Sequence, residues 1–513
     1  MNHSDPLWKV FGSRARWLAM LWRSAGPPTL RPTAMNWRKR ADLAVSIDIF
    51  DTILCFALLP NKAVWSDAAR SMAALGAISS LEDFVEARTA ASRALRRHGR
   101  PVVIEEIYLY MSAQLQIDPR QASHLAMMEV AATLNNALVI PGAHVLLAEL
   151  RERTESGSVV FISDMYLPSP AVRGALIQAN LWHQGDSLWI SGESGSDKKH
   201  GTIFPRIRHA ESSMGGRRWL HVGDDPLADN LAPRWHGLST WPTTQAQPSG
   251  AELALARIGG GSGSDLGSWL AGASRFTRLQ LSSPDSETRH DRASIAFTTD
   301  FFGPLLCLYS LWLLNFSRQR EIRVLQFPHG DEIVRRFCTS LSEALGVSVE
   351  CITEACSAAY ELSSACIESC GCRRPDDMRL TALGFHTRID MEAPLDEGNS
   401  VGRAILFPLF GKTIERTSVA MSSHVQSAHA FLPEIHRRTR LFLFGRSLRA
   451  LRVARYRRTI RASTVHSGIR LYADFMRERV RCEHLNSDLP AAAIEILGTT
   501  GAKYHETFSA THA

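Results

Sequence analysis

Five short apolar runs stand out between residues 43 and 241: Leu43–Ile47, Val159–Ile162, Leu188–Ile190, Trp219–Val222 and Leu238–Trp241. The first four each run into a polar group, namely Asp48, Ser163, Ser191 and Gly223-Asp-Asp. Stretches with helical spacing, such as Ala143–Arg153 and Ala171–Ala179, lie between them. Strands alternating with helices predict an α/β domain built on a parallel sheet flanked by helices, a Rossmann-like arrangement. The interval from Thr52 to Val159 is too long for a connecting loop. Its apolar positions recur at helical spacing over Val64–Leu75, Leu81–Arg97, Ile104–Leu115 and Gln121–Leu138. This predicts a helical insertion at about residues 60–140, with Pro141-Gly142 marking the return to the sheet. The longest apolar run, Phe301–Phe316, falls short of the roughly 20 residues of a spanning helix, so a buried helix is expected there.

Further along, Gly259-Gly-Gly-Ser-Gly-Ser264 has the composition of a flexible linker. The expected organisation is a basic leader (1–40), an α/β domain (41–245), a Gly/Ser-rich linker (246–268) and a C-terminal domain (269–513). The last is expected to be mostly helical, with strands such as Ile322–Phe327 and Leu441–Phe444. The 513-residue length agrees with more than one core.

The formal charge of +7 suggests an anionic partner until its distribution is considered. Residues 1–40 hold eight Lys or Arg against one acid, and residues 435–461 hold ten Arg and no acid. The rest of the chain therefore carries a net −10. A nucleic-acid-binding body is not expected. In the second block Arg446, Arg449, Arg452, Arg455, Arg458 and Arg461 recur every third residue, which winds them around a helix instead of lining one face. Pairing within the protein or solvation is the expectation there, and for Arg93, Arg96, Arg97 and Arg100 a solvated helix face. Nine cysteines, an odd number, exclude a disulfide scaffold and point to a reducing, cytoplasmic setting. Cys366, Cys370 and Cys372 lack the fourth ligand and paired spacing of a zinc site.

The candidate chemistry collects where the apolar runs end. Asp48-Ile-Phe-Asp-Thr52, Ser163-Asp-Met-Tyr166, Lys198 and Lys199 before Gly201, and Gly223-Asp-Asp-Pro-Leu-Ala-Asp229 follow in that order. In parallel sheets, ligands bind beyond the carboxyl ends of the strands. A carboxylate nucleophile, a hydroxyl, an ammonium and an acidic cluster converging there suit phosphoryl transfer. The carboxylate attacks phosphorus, the hydroxyl and ammonium hold phosphate oxygens, and the acids bind Mg²⁺.

These segments resemble the four ordered motifs of the haloacid dehalogenase (HAD) superfamily. The resemblance implies a HAD-like sheet with an inserted helical cap, and a hydrolase, most simply a phosphatase, acting on a small phosphorylated metabolite. It implies Asp48 as nucleophile and metal ligand, the Phe50 carbonyl as a second ligand, and Ser163 and Lys198 as catalytic partners. Asp224 and Asp229 become metal carboxylates, and Thr52 and Asp164 substrate-binding positions. A threonine four residues after the nucleophile selects Asp48 over Asp51. One position departs from the pattern: Phe50 stands where most phosphatases of the superfamily carry a general acid. A degenerate binding or scaffold protein is therefore the alternative, and carbon–halogen or carbon–phosphorus cleavage a third reading, against which Asp224 and Asp229 count.

The motif Ile47-Asp-Ile-Phe-Asp-Thr-Ile53, with Ser163-Asp-Met-Tyr-Leu-Pro168, also resembles the large HAD proteins of bacterial surface-polysaccharide loci. There an apolar helix leads to an Arg-Asp-Gly-type turn; here His329-Gly-Asp331 stands in its place. In the leader, Leu7, Val10, Phe11, Leu18, Leu21 and Trp22 could share a helical face opposite Arg14, Arg16 and Arg23. That suits contact of residues 1–24 with a membrane surface, at the inner membrane, and equally a loosely docked tail. Deleting residues 1–40 is expected to leave the hydrolase site intact and to lower binding to anionic lipid vesicles in a flotation assay. A truncated chain that misfolds would place the leader within the fold.

Overall fold

The computed structural model describes residues 43–258 apart from 61–62, 97–100 and 212–217, and, further on, 265–282, 292–319, 324–327, 332–353, 379–381, 387–390, 403–406, 462–486, 489 and 492. The basic leader, the run 259–264, His329–Asp331, Leu441–Phe444, the cysteines at 366–372 and the block 435–461 lie outside the described residues. The chain divides into two compact units, one ending at Pro248 and the other beginning at Ser249.

The first unit is built on five parallel strands: β1 (Leu43–Asp48), β4 (Val160–Ser163), β5 (Ser187–Ile190), β6 (Arg218–Gly223) and β7 (Ser239–Pro242). Their order across the sheet is β5-β4-β1-β6-β7. This is the α/β class expected from the strand–helix alternation. Every residue of β1 is buried, as in a strand covered on both faces. Helices α5 (Ala143–Arg153), α6 (Ser169–Gln178) and α7 (Ile203–Ala210) supply much of the cover. Strand order reverses between β1 and β6, where a doubly wound sheet opens a crevice at its carboxyl edge. Asp48 ends β1, and the strand pairing places Gly223 at the same level.

Four helices fill the long insertion: α1 (Ala63–Ala74), α2 (Leu81–Arg96), α3 (Ile104–Leu115) and α4 (Pro119–Asn135). Asp118 caps α4 by accepting the Arg120 N–H, with Pro119 at the first helical position. The last helix stops at Asn135 and not at Leu138 as its periodicity predicts. Ala137–Val139 (β3) instead pairs antiparallel with Leu54–Phe56 (β2), a strand the sequence reading passed over. This two-stranded stem carries the chain out to the insertion and back, and Ile140 N–H closes it on the Ile53 carbonyl at 2.9 Å.

The insertion has a charged centre. Arg88 donates Nε and Nη2 to the two Glu129 carboxylate oxygens, each at 2.8 Å, and Tyr108 Oη donates to Glu129 at 2.8 Å. The guanidinium lies over the Trp65 ring at 4.2 Å and the Tyr166 ring at 4.9 Å. Tyr166 comes from the loop after β4, accepts the Trp65 indole N–H at 3.1 Å, and takes the Ile104 N–H on its carbonyl at 3.0 Å. The cluster thus fastens the helical insertion to a loop at the carboxyl edge of the sheet. Gly192 allows a second close approach, since a Cβ there would lie 2.6 Å from the Val102 carbonyl oxygen.

The second unit is mostly helical. α8 (Gly250–Leu255) begins at a capping box of Ser249 and Glu252. The boundary at 248/249 falls inside the expected 246–268 linker, ahead of its glycine-rich run. Buried Glu252 pairs with Arg278 of α9 (Leu266–Leu281) at 2.6 Å, and Gly267 packs against the Leu255 carbonyl, so the helices on both sides of 259–264 belong to one core. The run Phe301–Phe316 also proves longer than expected. A 26-residue helix, Ser294–Gln319, includes a π-helical turn at Thr298–Phe302 and is long and apolar enough to cross a membrane by length and composition. It packs as a core helix, with 82% of its apolar window buried inside the protein. Tyr472, on a helix spanning Ala462–Arg477, donates to the Leu270 carbonyl at 3.0 Å. Val324–Phe327 pairs parallel with Glu350–Thr353.

Removing one partner from a buried ion pair leaves the other charge uncompensated, at a cost of about 3–5 kcal/mol. Glu129→Ala is expected to lower stability by that order in urea denaturation followed by far-UV circular dichroism, with Glu129→Gln losing less. A loss below ~1 kcal/mol, the range of exposed pairs, would show that Arg88 reaches solvent in the variant.

Candidate active site

The expected residues gather at the carboxyl ends of β1, β4 and β6. Lys198, and not the exposed Lys199, reaches them. Its buried ammonium donates to Asp48 Oδ1 and, at 2.6 Å, to Asp229 Oδ1. Thr52, expected to bind substrate, donates Oγ to Asp48 Oδ2 at 3.1 Å, so both Asp48 carboxylate oxygens are oriented by hydrogen bonds. Asp48, Asp224 and Asp229 each place a carboxylate oxygen within 4.8 Å of the others. Ser163 ends β4, one residue beyond Ile162, the register partner of Asp48.

Two residues have surroundings that differ from the expectation. Asp164 uses its carboxylate on the protein itself: it accepts the Lys198 N–H at 2.9 and 3.1 Å and the Lys199 N–H at 3.3 Å. It therefore shapes the loop that presents the lysine. Asp229, expected as a metal ligand, accepts Lys198 and His221 Nε2 on Oδ1 and the Asp225 N–H on Oδ2 at 2.9 Å. A carboxylate offers about four acceptor positions, so one is left for a cation. Asp229 also presses against the backbone of Gly223, where a Cβ would lie 2.4 Å from its Cγ.

The Phe50 side chain stacks on Phe56 with ring centroids 4.8 Å apart, so this position is taken up by an aromatic contact. Asp51 follows with φ 63°, a left-handed conformation that aspartate tolerates better than most residues. Its charge acts on Asp224.

The electrostatics follow from crowding carboxylates around one ammonium. Burial pushes the Asp48 carboxyl up to about 7; Lys198 pulls the other way and the Asp229 charge adds to the rise. Asp224 is raised well above the usual carboxylate range, by burial first and then by Asp51, Asp48 and Asp229. Burial would raise Asp229 as well, but Lys198 and His221 outweigh it and hold it low. Burial would lower Lys198, and Asp229, Asp48 and Asp164 together keep it charged. Three carboxylates crowded around one ammonium favour negative charge in excess, and Asp224 is pushed toward its neutral form in consequence. An all-oxygen set with unbalanced negative charge fits a hard divalent cation such as Mg²⁺, with Asp48 and Asp224 as its principal holders.

Sequence reading missed Ser46, Trp219 and His221. His221 Nε2 lies 3.0 Å from Asp229 Oδ1, its Nδ1 2.8 Å from Ser46 Oγ, and Trp219 Nε1 donates to Ser46 Oγ at 2.7 Å. Burial lowers the His221 pKa, keeping the ring neutral. The available signal was a polar residue inside each of two apolar strands: Ser46 two before Asp48, and His221 two before Gly223, each pair on one face.

No family model and no curated protein matches the chain. Among solved structures, the HAD-hydrolase YfnB of Bacillus subtilis, described as bound to magnesium, is 18% identical over 41% of this chain and 91% of its own, with a TM-score of 0.31. A 2-haloacid dehalogenase of Pseudomonas syringae pv. tomato DC3000 is 18% identical over 41% of this chain and 89% of its own, with a TM-score of 0.30. Both likenesses are too distant to carry a residue's role from either protein to this one.

The raised carboxyls fix a sign. Their neutral forms are favoured in the fold, so stability is lost as pH rises from the unfolded value of 3.8 through about 7 for Asp48, and a bound cation offsets the loss. Mg²⁺ is expected to raise Tm more at pH 8 than at pH 5 in a thermal shift assay, and Asp224→Asn to abolish the gain. An equal gain at both pH values, or one that survives Asp224→Asn, would place the ion elsewhere.

Proposed function

We propose that the chain is a HAD-type hydrolase that cleaves a small phosphorylated metabolite, with Asp48 as nucleophile. The observation that carries this reading is the buried ammonium of Lys198 bridging Asp48 and Asp229 at the carboxyl edge of the sheet, beside Asp224. Asp48 attacks phosphorus, the bond from phosphorus to the leaving oxygen breaks, and an aspartyl-phosphate forms. Water then attacks that phosphorus, releasing inorganic phosphate and restoring the carboxylate. Lys198 offsets the charge of the reacting groups, and Ser163, at the end of the neighbouring strand, donates its hydroxyl to a phosphate oxygen. When bound, Mg²⁺ supplies positive charge that lowers the repulsion between carboxylate and phosphate. The helical insertion acts as a cap that excludes water from the site.

Phe50 sharpens the reading. With no carboxyl at that position, the leaving oxygen loses the usual proton donor, which disfavours strongly basic leaving groups. The same residue favours a second reading, a binding or scaffold protein without turnover. The resemblance to surface-polysaccharide proteins makes a sugar phosphate the substrate class to try first, and the reduced cysteines suit a cytoplasmic enzyme.

Attack requires ionised Asp48, so activity is expected to fall as pH drops through about 7 when cation is scarce, and the limb to move lower as Mg²⁺ is added. In phosphate-release assays on a panel of sugar phosphates and p-nitrophenyl phosphate, Asp48→Asn is expected to reduce release to background. Phe50→Asp is expected to raise kcat on alkyl phosphates, by part of the roughly 10²–10⁴ that a general acid contributes. Equal release by wild type and Asp48→Asn would remove Asp48 as nucleophile. Absence of both turnover and a beryllofluoride adduct at Asp48 would leave the binding reading in its place.

A further inference from the structure

The hydrogen bonds behind Asp229 form one continuous series. An indole N–H can only donate, so Ser46 Oγ accepts from Trp219 at 2.7 Å. The Asp229 carboxylate accepts, so His221 donates from Nε2 at 3.0 Å. His221 Nδ1 lies 2.8 Å from Ser46 Oγ, which joins the two ends of the series. The series ends on Asp229, and Asp229 in turn accepts the Lys198 ammonium.

The strands make the series rigid. Ser46 and His221 are register partners on β1 and β6, as are Ala44 and Trp219, so the polar groups sit two register positions apart on one ladder. Ser46 and His221 are fully buried. Phe204 packs edge-on against His221 at 5.4 Å and against Trp219 at 5.8 Å, and it lies on α7, just after the loop that carries Lys198. A histidine and a serine at the centre of a parallel sheet are costly unless paired, and here each finds its partner in the other and in Asp229.

We propose that Trp219, Ser46 and His221 form a hydrogen-bonded strut that positions Asp229 and, through it, holds Lys198 against Asp48. None of the three residues touches the reacting atoms; each is a positioning residue. The strut itself follows from the contacts, and only its effect on turnover rests on the hydrolase reading.

The test begins with a signal that needs no turnover. The chain has seven lysines, so lysine-selective ¹⁵N labelling of the full protein, free of metal, gives few ammonium resonances. Lys198 is assigned by the loss of one of them in Lys198→Met. His221→Leu is expected to shift or broaden that resonance, and His221→Gln, whose amide can donate to Asp229, to restore it. Ser46→Ala, which removes one hydroxyl, should move it in the same direction and keeps the question open to test if His221→Leu does not fold. An unmoved Lys198 resonance in a folded His221→Leu or Ser46→Ala protein would overturn the strut. With p-nitrophenyl phosphate and Mg²⁺, His221→Leu is expected to lower kcat by about 10–100-fold, the usual effect of losing an outer-shell partner, with KM little changed and recovery in His221→Gln. Unchanged kcat in His221→Leu would overturn the positioning role. An inactive wild type whose lysine resonance responds as expected would overturn the hydrolase reading and support the strut.

Discussion

The single ammonium of Lys198, buried among carboxylates, is the interaction on which the site depends. Asp48 and Asp229 are both out of water and both hydrogen-bonded to it. Without that cation the two would repel across a short distance in a poorly screened interior. With it, the burden is divided unevenly. Asp229 also accepts from His221 and the Asp225 backbone and stays firmly ionised, whereas Asp48 and Asp224 are pushed toward their neutral forms. The protein thus keeps one carboxylate fixed as an anchor and leaves two poised to gain from a divalent ion.

Much of the surrounding architecture serves that lysine. The loop bearing it has no strand of its own to hold it, and Asp164 secures it by accepting two successive backbone N–H groups. From below, the sheet contributes Asp229 and the strut behind it. Gly223 is small because the Asp229 carboxylate occupies the space a side chain would need. From above, the helical insertion returns to the sheet's carboxyl edge through Tyr166, whose ring covers Arg88 while its backbone holds Ile104. A loop that begins at Ser163 therefore serves both the site and the seat of the cap.

Most of the first unit was legible because its signals are local. Strand boundaries follow from apolar runs that end in polar groups, and the cap helices from 3.6-residue spacing, to within a few residues. The exception, Ala137–Val139, is three residues long and gains its strand character by pairing with Leu54–Phe56, far away in sequence. The glycine-rich run looked like a boundary by composition, yet the Glu252–Arg278 pair, formed across it, sets α8 and α9 in one core. The length of the apolar helix was underestimated because Ser294, Thr298 and Thr299 read as polar, although the side chains of Thr298 and Thr299 bond back to carbonyls of the preceding turn.

For the site, the order and spacing of Asp48, Ser163, Lys198 and Asp224 could be read directly, since chemistry at strand ends is written in residue types. What each neighbour does could not. Asp164 and Thr52 became a loop anchor and a hydrogen-bond donor to Asp48, and Ser46, Trp219 and His221 entered only when β1 and β6 lay side by side. The sequence by itself determined the alternation of strands and helices, the helical insertion and the identity of the charged groups, because these depend on local periodicity and composition. Only the tertiary structure decided which carboxylate is anchored and which is left to bind a cation, because that depends on burial and on donors brought from elements some 150 residues apart, as Asp48 and Lys198 are.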